Sequence, residues 1–398
     1  MSERSGWTQK ALSEVGELIR GRRFTKDDYV ESGLGCIHYA QIHTDFGAIA
    51  RDPLTFLAED ARSRMRLARP GDLVIAATSE NVDDVGKATA WLGEDDIAVH
   101  DDCYIFRHGL DPAYVSYFFA SSLFHSQKIK YISETKVVRI SGANLRMIEI
   151  PVPPQQVQER IVEVIGAVDD QITALEHEAV ALESVYRAAT SLLWRTSQGD
   201  EAELRPLGDV MQLDIARIAM ESGTTYHLAG VLNSGKGLVD KGTFDGADTE
   251  YKAMNVLRKN QVVMRKLTAW EGPITVVPAE FDGFVASNEF PTFTLASDID
   301  PGWVKHVCRT SRLWAEMQSR VVGTVQRRKR LNPDQLLAVT LPIPHQHEQE
   351  QAAEALNAID GQIVGLRTEA DRLGEVRASL LSGLMSRTID IESAELGV

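Results

Sequence analysis

The chain has 398 residues, 43% of them hydrophobic, and a formal net charge of −15. That length calls for two or three domains, and that apolar content excludes a disordered class. Three widely separated cysteines without CxxC spacing argue against a structural zinc site and for a reducing, cytoplasmic setting, and no stretch approaches the ~18 uninterrupted apolar residues of a membrane span.

In chain order, residues 1–150 read as a mixed α/β body. CIHYAQI (36–42), GDLVIAAT (71–78) and IAVHDDCYIFR (97–107) have strand composition, and residues 111–132 are helical after an Asp-Pro start. Residues 151–200 follow as a helical tail. Pro151, Pro153 and Pro154 forbid helix before about Gln155. Apolar residues then recur in alternating steps of four and three, through Ile165, Val168, Ile172, Leu175 and Leu182, which marks a coiled-coil seam. Residues 201–344 read as a second mixed body, with strands NQVVMRK (260–266), ITVVPAEF (274–281) and FPTFTL (290–295) and a helical stretch over 301–321. Residues 345–390 carry a second seam with Leu356, Ile359, Ile363, Leu366 and Leu373, whose register slips near Val376.

A shift of 191 residues relates the tails. It carries Asn144-Leu145 onto Gln335-Leu336, Pro151 onto Pro342, Pro153 onto Pro344, Glu159 onto Glu350 and Asp169 onto Asp360 without an insertion. The bodies follow the same element order with different residues. The acidity is concentrated in the tails: residues 155–195 carry a net −4 and residues 346–398 a net −6, so the global sign does not exclude a polyanionic partner. The fold class expected is α+β: two mixed α/β domains separated by a pair of long antiparallel coiled-coil helices, with a pseudo-two-fold internal repeat.

The segments NLRMIEIPVPPQQVQERIVEVIGAVDDQI (144–172) and RLNPDQLLAVTLPIPHQHEQEQAAEALNAIDGQI (330–363) resemble the two junctions, between a target-recognition domain and a spacer helix, of type I restriction–modification specificity subunits. RGRRFTKDDYV, CIHYAQIHTDFG, IAATSENVDDVGKA and HDDCYIFRH are similar to one common kind of first recognition domain in that family. Its usual Pro-Pro-Leu-Glu-Glu-Gln is here Pro153-Pro154-Gln155-Gln156-Val157-Gln158 and Pro344-His345-Gln346-His347-Glu348-Gln349, so the second junction lacks the second proline. The resemblance implies a non-catalytic subunit, active in phage defence, in which each recognition domain reads one half of a bipartite, asymmetric target in double-stranded DNA. It further implies docking of two modification (methyltransferase) subunits and of restriction (translocase/nuclease) subunits. S-adenosylmethionine and ATP with Mg would belong to those partners, with no cofactor or metal on this chain and no membrane contact.

Phosphates are met by Lys and Arg, and base edges by Arg, Asn, Gln, Ser and Thr. In the first body Arg20, Arg22, Arg23 and Lys26 cluster around a hinge-like Gly21, Thr78, Ser79 and Asn81 follow a strand, and Lys128, Lys130, Lys136 and Arg139 form a second basic run. In the second body the corresponding post-strand loop offers Arg265, Lys266 and Trp270, and Arg327, Arg328, Lys329 and Arg330 stand just before the junction. The 191-residue shift relates Lys136 to Arg327 and Arg139 to Arg330. A cluster of charges is most often only a solvated face, the reading preferred for Arg62, Arg64, Arg66 and Arg69. His38 and Tyr39 are as compatible with a strand packed into the core as with base reading.

Motifs for catalysis are weak. Asn332-Pro333-Asp334-Gln335 lacks the second proline and the aromatic of an amino-methyltransferase, and no strand-linked GxGxxG or GxxxxGK[ST] occurs. His100-Asp101-Asp102 sits in a strand-like run without a second ligand cluster, which suits a structural role better than a metal site. The competing functions are a self-sufficient DNA methyltransferase or nuclease with diverged motifs, and a coiled-coil assembly protein that never meets nucleic acid.

Overall fold

The computed structural model describes residues 6–134, 137–322 and 329–391. Two compact units divide the chain, Met1–Leu175 with Glu369–Val398, and Glu176–Thr368. Two long helices, Gln155–Ala189 and Gln346–Met385, each begin in one unit and end in the other. No helix among the described residues is long and apolar enough to cross a membrane.

The first unit is built on a five-stranded sheet in the order Gly16–Arg20, Cys103–His108, Leu73–Ala76, Ala88–Trp91 and Ile49–Ala50. Leu73–Ala76 is buried at all four residues, as its unbroken apolar run requires of a central strand covered on both faces. The second unit repeats the first four positions with Met211–Leu213, Thr292–Leu295, Val262–Met264 and Ile274–Val276. Both units add a second five-stranded sheet. Both also pair an early strand with the one that precedes the long helix, Thr8–Ala11 with Glu149–Val152 and Leu204–Pro206 with Thr340–Pro342.

The stretch 36–42 departs from its expected strand. A strand Leu34–Ile37 gives way to a helix Tyr39–Thr44, because the buried Gln41 side chain accepts from the His38 N–H and starts a turn. His38 stacks beside Tyr29, and Tyr39 lies edge-on to His43. The helical stretches after each Asp-Pro both break once. Asp111 and Asp300 cap Pro112–Phe119 and Pro301–Val307, while Ser121 and Thr310 cap Ser122–Lys128 and Ser311–Arg320.

Each junction is held by the same buried amide. Gln158, 4% exposed, donates to the Pro153 carbonyl at 2.9 Å and accepts from the Asp111 N–H at 3.0 Å. Gln349, 1% exposed, donates to the Pro344 carbonyl at 2.8 Å and accepts from the Asp300 N–H at 2.9 Å. One side chain thus ties the junction, the long helix and the cap of the body helix. In place of a second proline the second junction has His345, whose N–H donates to Glu348, and Glu348 also accepts from the Ser197 N–H.

The seams are legible in burial. On the first helix Ile165 and Leu175 are buried and Val168, Ile172 and Leu182 half-buried; on the second, Leu356 and Ile363 are buried and Ile359, Leu366 and Leu373 half-buried. Val376 is 54% exposed, and Arg377, four residues after Leu373, takes the inward position, so the alternation of four and three continues and the expected slip of register does not occur. In the first unit Ile161 and Ile165 share a core with Leu381, Leu384 and Met385. In the second unit Leu182 and Tyr186 share one with Leu356, Ile359 and Ile363. Early residues of one helix meet late residues of the other in both units, so the paired segments run antiparallel.

A charged bracket fastens helix to body in both units, with its parts exchanged. In the first, Arg377 of the second helix pairs with Asp169 and lies 5.5 Å over the ring of Tyr117 from the body. In the second, Arg309 from the body pairs with Asp360 and lies 4.5 Å over Tyr186 of the first helix. Asp169 and Asp360 are repeat-related, as are positions 186 and 377. The second bracket continues through His306, whose ring bonds Tyr186 Oη at 2.8 Å and Asn357 Oδ1 at 3.0 Å. Burial holds the His306 imidazole down to about 4 and pushes the Tyr186 phenol up to about 12.

Two outcomes follow from this packing. Gln349→Leu leaves a buried N–H and a buried carbonyl without partners and is expected to destabilise the second unit by roughly 2–4 kcal/mol, read by urea unfolding. His306 is neutral in the folded chain and protonates more readily once unfolded. Its contribution to stability is therefore complete above about pH 6.5 and lost as pH falls toward 4. Melting curves at pH 7.5 and pH 5 should converge more closely in His306→Gln than in the parent.

Candidate nucleic-acid interface

The separate polar stretches of the first body meet around the turn 99–102. Arg20 Nε donates to the Asp101 carbonyl at 2.9 Å, the Arg22 N–H to the Val99 carbonyl at 2.8 Å, and Thr78 Oγ1 to Asp102 Oδ1 at 3.4 Å. The strand Thr78–Ser79 pairs with Val138–Ile140, setting Arg139 opposite Thr78. Arg20, Arg22, Arg23, Lys26 and Arg139 are all exposed. Gly21 is no hinge. A Cβ there would lie 2.0 Å from the His100 carbonyl oxygen, so only glycine lets the chain pass this close to the turn.

Several polar groups here serve the fold. Ser79 is 2% exposed and its hydroxyl accepts from the Asn81 N–H. The Asn81 amide closes a turn with Asp84, donating at 2.7 Å and accepting at 2.8 Å. Of that loop, Thr78 faces the cationic stretch, while Ser79 and Asn81 set its shape. Lys128 leaves the expected basic run: it is 3% exposed, its ammonium donates to the Asp83 and Val85 carbonyls, and burial holds it down to about 8. His100 has both ring nitrogens engaged, with the Phe24 carbonyl and the Asp102 N–H, and so braces the turn. Its atoms and the Asp101 and Asp102 carboxylates lie within 4.8 Å of one another, a grouping in which the acids also offset some of the surrounding positive charge.

The second body assembles the same parts. The loop after Val262–Met264 contains a short turn, Ala269–Glu271, flanked by left-handed residues Thr268 (φ +56°) and Gly272 (φ +66°). Arg265 is not a free cation. Its guanidinium donates to the Leu267 carbonyl, Asn233 Oδ1, Thr268 Oγ1 and Glu271, which holds the loop in shape. Lys266 is half-buried, and its backbone bonds Glu289 and Leu331. Trp270 is half-buried, and its indole N–H has no acceptor among the described residues. The Thr268 N–H donates to the Lys329 carbonyl, and Arg330 bridges to Leu267, with its guanidinium 3.3 Å from Glu289. Lys329 is half-buried and Arg330 exposed. Lys136, Arg327 and Arg328 lie outside the described residues.

Arg139 opposite Thr78 and Arg330 opposite Leu267 are thus similar pairings made by repeat-related arginines, and Arg330 bridges Val322 as well. Both bodies lay the segment before the junction along the loop after the central strand. Sequence reading missed the loop 233–237, which joins Arg265 through Asn233; its Asn-Ser-Gly-Lys-Gly composition was the available signal. Asn332 of the nearest methyltransferase-like string opens the helix Pro333–Leu337, its N–H donating to Gln335.

Residues 71–183 match the family described as the type I restriction modification DNA specificity domain. The type I restriction enzyme MjaVIII specificity subunit of Methanocaldococcus jannaschii is 23% identical over 193 residues, which are 47% of this chain and 45% of that relative. The match thus spans less than half the length of the curated relative. The crystal structure of a type I restriction–modification S subunit from M. genitalium superposes with a TM-score of 0.57 at 12% identity, covering 97% of each chain. A chain from a structure describing complex assembly and conformational transition of the type I R-M system gives 0.57 at 16% identity, covering 97% of this chain and 99% of that one. At these identities the likeness to solved structures is one of fold. Through its specificity domain over residues 71–183, its curated relative and its duplicated α+β fold, the chain is similar to the specificity subunits of type I restriction–modification systems.

Proposed function

We propose that this chain is the DNA-reading subunit of a type I restriction–modification complex and performs no chemical step itself. Each body reads one half of a bipartite, asymmetric target. The observation that carries this reading is the repeated placement of an exposed arginine, Arg139 or Arg330, beside a post-strand loop in two bodies of different sequence. Equal placement with unequal residues suits two readers of unlike half-sites. Arg20, Arg22, Arg23, Lys26, Lys136, Arg139, Arg327, Arg328, Lys329 and Arg330 supply phosphate contacts, and Thr78, Lys266 and Trp270 face the bases. Ser79, Asn81 and Arg265 hold the reading loops in place. The long helices set the gap between half-sites and offer their outer faces to two modification subunits. Restriction subunits join that assembly, and S-adenosylmethionine and ATP bind on those partners in the cytoplasm.

Labelled S-adenosylmethionine tests the division of labour. Methyl transfer to DNA is expected only when modification subunits are added to the purified chain; transfer by the chain alone would establish it as a self-sufficient enzyme. Inserting one heptad into both helices, about 10 Å of rise or roughly 3 base pairs, should lengthen the spacer of the methylated motif and leave its half-sites unchanged. Arg139→Ala and Arg330→Ala should each weaken binding uniformly across sequences and lower the salt slope by about 1, measured by fluorescence anisotropy.

A further inference from the structure

The second unit contains an open cleft of about 700 Å³ at the base of its bracket. Five cations line it: Arg187, Lys236, Lys305, Arg309 and Arg367. Only Glu183 and Asp360 oppose them, which leaves a net +3 in a chain of net −15. Arg309 and Arg367 are held in ion pairs with Asp360 and Glu183. Lys305 stands 3.7 Å from Asp360 and remains about half exposed, and among the described residues the Arg187 side chain donates only to Ser184 of its own helix. Lys236 is exposed and makes no side-chain hydrogen bond or ion pair among the described residues.

Lys236 sits on a fixed turn. Ser234, Gly235 and Gly237 adopt left-handed φ values, and a Cβ on Gly235 would lie 2.3 Å from the Cys308 carbonyl oxygen. The turn is fastened to the reading loop: the Ser234 N–H donates to the Glu271 carbonyl, the Gly235 N–H to the Gly272 carbonyl, and Arg265 to Asn233 Oδ1. The repeat-related cleft of the first unit, about 510 Å³ and lined by Arg51, Arg377, Asp169 and Asp170, carries no net charge. The excess positive charge therefore does not come with the duplicated architecture.

We infer that this cleft binds phosphates of duplex DNA beside the half-site read by the second body. The inference rests on the DNA-reading function proposed above. Solvent-facing cations spread over a turn, a body helix and both long helices suit the spaced charges of a nucleic-acid backbone, and the turn's attachment to the reading loop places them beside that loop. The geometry is too open to enclose a single small anion.

The test uses the full chain and a labelled random-sequence duplex, titrated between ~50 and ~200 mM salt. Arg187→Gln/Lys236→Gln/Lys305→Gln is expected to lower the salt slope by about 2–3 and weaken binding by tenfold or more near ~150 mM, while Arg51→Gln leaves both unchanged. Should the triple variant melt early, Lys236→Gln alone is read instead, with an expected slope change of about 1. An unchanged slope and affinity would overturn the inference and leave the DNA-reading function standing. Loss of co-purifying modification subunits with DNA binding intact would assign the cleft to an acidic protein partner. Pyrophosphate that raises the melting temperature of the parent but not of the variant, with DNA binding equal in both, would assign it to a free phosphate ligand. Failure of the parent to bind any DNA would overturn both readings.

Discussion

The largest hydrophobic core of each unit is completed by stripes from both long helices. Ile161, Ile165, Leu381 and Leu384 are as deeply buried in the first unit as the strands of its sheet, and Leu356 and Ile363 play the same part in the second. The helices cover the largest core of each body, and they bury their seams partly against the bodies. Rotating one helix by a residue would turn apolar side chains into water and charged ones into a core, at about 1.5–3 kcal/mol for each large side chain displaced. That constraint fixes the register of the helices, which in turn fixes the direction in which each body leaves its junction.

The polar fastenings sit on this apolar frame. The two buried glutamines make the same three-way tie, although one junction has two adjacent prolines and the other has a proline and a histidine. The arginine–tyrosine–aspartate brackets keep the repeat-related aspartates and exchange the other two members between body and helix. Conservation of geometry with exchange of residues shows that the contact, and not the side chain at a given position, is what the duplicated architecture retains.

Much of this was legible in the sequence because it rests on periodicity. The alternating steps of four and three gave the helices, and the 191-residue shift gave the duplication. The slip expected near Val376 does not occur: the seam position there is Arg377, a charged residue turned inward toward Asp169, which an apolar pattern passes over. Readings that depended on three-dimensional context fared less evenly. Gln41 converts an apolar run into a helix by capping it, and Lys128 is drawn out of a basic run by two carbonyls more than forty residues away. Arg265 reads as a free cation because its four partners are scattered from Asn233 to Glu271. The pairing of Arg139 with Thr78 needed a sheet, which no spacing rule supplies.

The composition of the first unit has a bearing on how the chain comes to fold. Its early portion, through Leu175, is finished by residues after Glu369, and contacts such as Ser122 with Ser382 or Asp169 with Arg377 join positions more than two hundred residues apart. The second unit is one uninterrupted segment, Glu176–Thr368. On the ribosome the usual order is thereby reversed: the earlier-made body must wait, part of its apolar surface open, while the later-made one can settle as soon as it emerges. A nascent chain arrested before the second helix is complete would leave Ile161 and Ile165 without their partners, and chaperones would have most to guard at that stage.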